Sequence, residues 1–118
     1  MTLSEKQRIF TRNIAKLIEY AYCNNIELTF GHAWRSEEEQ RRLVNEGKSQ
    51  TMNSNHLNRL AVDFNVFVDG ELTWKWEDIK PLGDYWETLN DKNRWGGDWN
   101  NNEIKDGFID SPHFEMQL

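Results

Sequence analysis

His32, His56 and His113 are the only imidazoles in the chain, and two of them keep acidic company. His56 closes a polar stretch, and Asp63 follows in a run where Val62 and Phe64 must face the other way. A carboxylate set into such an apolar alternation is costly to bury unless it is paired or binds a metal. His113 lies in Asp110-Ser111-Pro112-His113-Phe114-Glu115, again a histidine beside carboxylates. Two imidazoles and one carboxylate are a sufficient ligand set for catalytic zinc, which keeps its fourth position for water. One anionic ligand leaves the site at about +1, still a useful Lewis acid. Hydrolysis there also needs an unligated carboxylate to take up a proton, and Asp110 and Glu115 are the candidates. On spacing alone, the plainer account of each histidine as a surface or core residue stays open.

Other chemistries lack their residues. There is no His-Glu-x-x-His helix, no Gly-x-Ser-x-Gly elbow and no phosphate-cradling Gly-Lys-Ser/Thr loop. Cys23 is the single cysteine, which excludes a disulfide framework, and with no histidine near it in sequence it is expected to be a buried thiol. Fourteen Lys and Arg against twenty Asp and Glu give a net charge of −6 and a pI near 5.0, a poor match for nucleic acid or anionic lipid. Lys16 and Glu19 interrupt the longest apolar stretch, far short of the ~20 residues of a membrane span. The charged N-terminus does not read as a signal peptide. Six Trp, six Phe and three Tyr supply ample material for a core, and tryptophan also suits sugar or peptide clefts.

These residues must be held by a scaffold, and 118 residues without repeats or linkers fit one domain, 1–118. Ser4 and Gln7 resemble a capping box, and the spacing of Ile9, Phe10, Ile14, Leu17, Ile18 and Ala21 predicts a helix over roughly 5–23. Residues 26–33 alternate like a strand. Ser36 with Glu39, and Gly47 as a stop, bound a short helix over roughly 37–46. Residues 48–58 read as a polar loop. A strand follows over 60–68, and Asp69-Gly70 turns it back into Glu71–Trp74. Ile79, Leu82, Tyr85, Trp86 and Leu89 suggest a third helix, with Pro81 tolerable near its first turn. Arg94–Asn102 reads as loop and His113–Met116 as a short strand. The expected class is α+β, an antiparallel sheet with flanking helices.

Ser54-Asn55-His56-Leu57-Asn58-Arg59-Leu60-Ala61-Val62-Asp63 resembles the Ser-x-His-x-x-Gly-x-Ala-x-Asp signature of the D-alanyl-D-alanine carboxypeptidase and L-alanyl-D-glutamate endopeptidase family of zinc peptidases. Asp110–Glu115 is similar to its second motif, Trp34-Arg35-Ser36 to its aromatic-Arg-Ser element, and Arg94–Trp99 to the Trp-Gly-Gly-Asp-Trp run of the phage-lysin branch. The four motifs follow in order from about residue 28 to 116. Arg59 departs from the signature glycine, so the turn there need not share the family's geometry.

The resemblance implies a fold like that of DD-peptidases and one zinc ion bound by His56, Asp63 and His113, with Asp110 as general base. Arg35 would hold the scissile carbonyl oxygen or a substrate carboxylate, where the alternative is a surface ion pair with Glu38 or Glu39. Ser54, Thr51 and Trp95 would touch the peptide, Trp95 being equally suited to the core, and His32 would lie outside the site. The implied substrate is the peptidoglycan stem peptide, cut at L-Ala–D-Glu, with D-Ala–D-Ala cleavage or non-catalytic wall binding as alternatives. A monomeric phage or prophage lysin, made without an export signal and acting on the wall after release, is the expected context.

Overall fold

The computed structural model describes residues 1–49, 52, 54–100, 102, 105, 107 and 109–118. Helix α1 (Leu3–Cys23) starts two residues earlier than the spacing predicts. Thr2, not Ser4, is its cap: the Thr2 hydroxyl accepts from the Glu5 amide and the Glu5 carboxylate accepts from the Thr2 amide. Phe10, Ile14, Leu17 and Ala21 form its buried face. Cys23, expected to be buried, is exposed, because it falls on the far side of the last turn. Asn25 takes the left-handed conformation (φ 62°) that releases the chain into β1 (Ile26–Phe30).

Strand β2 (Ala61–Val68) is the spine of the sheet. One edge pairs antiparallel with β1 along Phe64–Val68. Past the end of β1 the pairing continues, with Gly31 donating to the Asp63 carbonyl and the Asp63 amide to the His32 carbonyl. The other edge is shared. Its C-terminal half pairs with β3 (Glu71–Thr73), and its N-terminal half pairs with β5 (His113–Met116) in the register Asp63↔His113. β4 (Asn93–Trp95) flanks β5, so Arg94 and Trp95, expected in a loop, are strand residues.

Alternation divides the faces. Val62, Phe64, Val66, Phe114 and Met116 point into the core, and Asp63, His113 and Glu115 point the other way. Helix α2 (Glu37–Asn45), capped by Ser36, borders the polar face, and α3 (Trp76–Thr88) packs with α1 over the core. Pro81 sits sixth in α3 and not in its first turn, so the Glu77 carbonyl forgoes its usual helical donor. Burial of Ile79, Leu82 and Trp86 offsets that loss. Trp86 is fully buried, and its indole N–H donates to the Arg94 and Glu115 carbonyls of β4 and β5.

Gly83 and Gly97 leave room for Trp95, whose ring occupies the space a Cβ would need at either position. Gly96 meets the Asp110 carbonyl just as closely, and its amide donates to the His113 carbonyl at 2.7 Å. No described helix is long and apolar enough to cross a membrane.

Candidate metal centre and active site

Each prospective ligand comes from a different stretch of backbone. Asp63 stands on the polar face of β2, and the β5 register sets His113 directly across from it. His56 arrives from the turn before β2, fixed by an N–H···O bond from its own amide to Ser54 Oγ. That turn ends on Arg59, which holds a left-handed backbone (φ 57°) where the resembling signature has glycine. The side chain adds a cost of roughly 1–2 kcal/mol there. Its guanidinium lies 5.1 Å over the Trp34 ring, a contact worth ~0.5–1 kcal/mol at an exposed site, which offsets part of that cost. Arg59 thus holds a backbone conformation that a glycine would adopt without that cost.

The three side chains converge. Asp63 Oδ1 lies 3.2 Å from His56 Nε2 and 3.0 Å from His113 Nδ1. One donor atom from each residue can be chosen so that all lie within 4.8 Å of one another. His56 is fully buried: its Nδ1 has no hydrogen-bond partner, and its Nε2 faces Asp63 Oδ1 without a well-formed hydrogen bond. A buried imidazole left so poorly satisfied is expensive unless an ion takes a lone pair, so the donor set fits a metal. Burial holds the His56 imidazole below its ordinary value, which keeps it neutral and able to ligate. Burial alone would raise the Asp63 carboxyl, but the hydrogen bond with His113 and the close His56 ring more than reverse this and hold it well below the usual carboxylate range. Burial works against a charged His113, yet Asp63 and Glu115 outweigh it and bring that imidazole up to about 9.

Arg35 makes no surface pair with Glu38 or Glu39 in this arrangement. It reaches inward, with Nη2 donating to Asp63 Oδ2, Nη1 to Gln40 Oε1 and Nε to His32 Nδ1, each at 3.0 Å. His32 thus borders the site through Arg35 and offers nothing to the ligand cluster. Asp110 stands 4.0 Å from His113 Nδ1 with its side chain 40% exposed. Burial raises its carboxyl, with nearby His113 opposing. A turn closed by the His113 amide on the Asp110 carbonyl sets this spacing. Glu115 lies on the opposite nitrogen, 2.8 Å from His113 Nε2.

The expected peptide contacts fare differently. Thr51 lies outside the described residues. Ser54 is buried, with its Oγ occupied by the His56 amide, and Trp95 is fully buried, its indole N–H on the Ser111 carbonyl at 2.7 Å. Both read as scaffold of the site and not as substrate contacts. Trp99, with its ring 5.4 Å from that of His113, is the tryptophan that borders the cluster. No motif in the sequence singles out Gln40. Its one signal was a polar residue three before Leu43 on the buried face of α2.

A family model described as phage L-alanyl-D-glutamate peptidase matches residues 5–117. The L-alanyl-D-glutamate peptidase of Listeria phage A118 is 33% identical over 102 residues, which are 86% of this chain, and the chain spans 34% of that protein's length. The crystal structure of Serratia marcescens L-Ala D-Glu endopeptidase ChiX superposes with a TM-score of 0.69 at 27% identity, covering 97% of this chain and 85% of that one. A zinc complex of a variant of the vancomycin-resistance D,D-pentapeptidase VanY gives a TM-score of 0.61 at 19% identity, covering 91% and 70%, a likeness of fold.

Proposed function

This chain belongs to the phage L-alanyl-D-glutamate peptidase family, and from that premise we propose that it is a zinc-dependent hydrolase cutting the L-Ala–D-Glu bond of the peptidoglycan stem peptide. The observation that carries this reading is Asp63 Oδ1, one carboxylate oxygen set between His56 Nε2 and His113 Nδ1. His56, Asp63 and His113 would hold the ion, one per chain. Bound there, zinc supplies a Lewis acid for the scissile carbonyl and brings the pKa of water toward ~7.

The chain's own groups do the proton work and the positioning. Asp110 lies on the Nδ1 side of His113, where its raised carboxyl takes a proton from the attacking water and returns it to the leaving amine. Glu115 cannot share that role from the far nitrogen. Arg35 has five N–H donors and commits three of them to Asp63, Gln40 and His32. The remaining two, one on each terminal nitrogen, would serve the carbonyl oxygen or a substrate carboxylate. We place the activity on the cell wall after release, carried out by a monomer.

Digestion of defined muropeptides with product masses read by mass spectrometry tests the proposal. Products split between L-Ala and D-Glu, lost on chelation and restored by zinc, are expected. Release of the terminal D-Ala would move the bond to D-Ala–D-Ala. Wall binding with no cleavage by the zinc-loaded chain would overturn the peptidase reading.

A further inference from the structure

Glu115 belongs to no step of the proposed reaction, yet its side chain is only 13% exposed and both of its oxygens are engaged. Oε1 lies 2.8 Å from His113 Nε2, and Oε2 accepts from Asn55 Nδ2 at 2.8 Å. Asn55 is the residue before His56, and its own carbonyl accepts from the Leu60 and Asn58 amides, so it anchors the turn that delivers His56. Strand alternation puts Glu115 on the same face of β5 as His113, two residues on. One carboxylate therefore touches one prospective ligand directly and the backbone neighbour of the other.

We infer that Glu115 is a positioning residue: it fixes the His113 tautomer with the proton on Nε2 and, through Asn55, ties the two histidine-bearing segments together. The inference rests on the zinc reading above. A neutral imidazole carries one ring proton, and Nδ1 faces Asp63 Oδ1 at 3.0 Å. For Nδ1 to offer a lone pair there, the proton must sit on Nε2, and an acceptor at 2.8 Å from Nε2 selects that form. A carboxylate in this position also makes the imidazole a stronger donor to a metal.

The experiment measures zinc affinity of the full chain by competition with a chromophoric chelator, and the visible spectrum of the cobalt-substituted protein. The variants are Glu115→Gln, Glu115→Ala and Asn55→Ala. Glu115→Ala is expected to weaken zinc roughly 10- to 100-fold, the usual cost of losing such an outer partner, and to shift the cobalt bands. Glu115→Gln keeps an acceptor oxygen and should recover part of both, while Asn55→Ala should weaken zinc less than Glu115→Ala. A graded series supports the inference, because a side chain that merely stabilised the fold would move the melting temperature and leave the cobalt spectrum alone. Parent-like zinc affinity and cobalt bands in Glu115→Ala would overturn it while leaving the zinc reading intact. A parent chain that binds no zinc would overturn both. Should Glu115→Ala not fold, Glu115→Gln and Asn55→Ala still decide between these outcomes.

Discussion

The two halves of β2 are written in the same alternation and end up with different work. In the C-terminal half, Val66 faces the core, Asn65 faces away, and Asn65 Nδ2 donates to Thr29 Oγ1 on β1. In the N-terminal half, Val62 and Phe64 face the core, Asp63 faces away, and three cationic or imidazole side chains converge on it. What separates the halves is what crosses them. β1 and β3 bring no titratable partner to Asn65, whereas β5 and the 55–59 turn bring two imidazoles to Asp63. Alternation assigns a residue to a face, and long-range pairing decides whether that face becomes a site.

The largest expected effect tests this contrast directly. Asp63→Ala should remove zinc and muropeptide hydrolysis together, since it deletes the oxygen shared by both histidines. Asn65→Ala, two residues along the same face, should change stability by only ~0.5 kcal/mol and leave metal content as it was. Elemental analysis and thermal melts of the two variants measure the difference. Retention of zinc by Asp63→Ala would dissolve the contrast.

Below that come two changes that should spare the metal. Arg35→Lys keeps a positive charge but cannot serve Asp63, Gln40 and His32 with one ammonium while still facing substrate. Loss of such a contact is typically worth ~10²–10³ in turnover. Asp110→Asn should keep stoichiometric zinc and a near-native melting temperature while hydrolysis falls at least ~10²-fold. Loss of zinc in Asp110→Asn would make Asp110 a ligand, and full activity would deny it the base role. Muropeptide turnover beside metal analysis separates these outcomes.

The pH dependence of the chelated protein is smaller and reports on the same half of the strand. His113 is held up to about 9 in the fold, against an ordinary value of 6.5. Its contribution to stability is therefore complete below 6.5 and is lost as pH rises through 9. Asp63, held below its ordinary range, stays ionised throughout that window, and His56 is neutral across it. Melting temperature should thus decline between pH 6.5 and 9.5 in the metal-free chain. His113→Asn should flatten the decline.

The contrast also explains what could be read from the chain alone. The α1 face, the β2 alternation and the Asp69-Gly70 turn were legible because each rests on local periodicity or a short turn code. Asp69 (φ 53°) and Gly70 (φ 76°) both take the left-handed form that such a turn requires. The residues around Arg35 were not legible in this way. Gln40 and His32 touch it only because α2 and the end of β1 meet beside β2, and no spacing in the sequence encodes that meeting. Trp95 and Ser54 were placed by motif position. Burial reassigns them, since the same motif must build the wall of a site as well as its contents.

The smallest effect concerns the turn at the other end of β2. Arg59 takes the left-handed conformation (φ 57°) without being a residue that favours it, so the only hint of it in the sequence is the glycine that the resembling signature has at this position. Two substitutions separate its two energies. Arg59→Gly removes the strain, roughly 1–2 kcal/mol, but also the contact with Trp34 and some rigidity of the unfolded chain. These oppose each other, so its melting temperature should stay within a few degrees of the parent. Arg59→Ala keeps the strain and loses the contact, and should be less stable than the parent by about 0.5–1 kcal/mol. The order Gly above Ala is the expected result of parallel melts in chelator. If Ala matched or exceeded Gly, the backbone at 59 would not be paying for its left-handed geometry, and the turn that carries His56 would be as relaxed as the one at Asp69-Gly70.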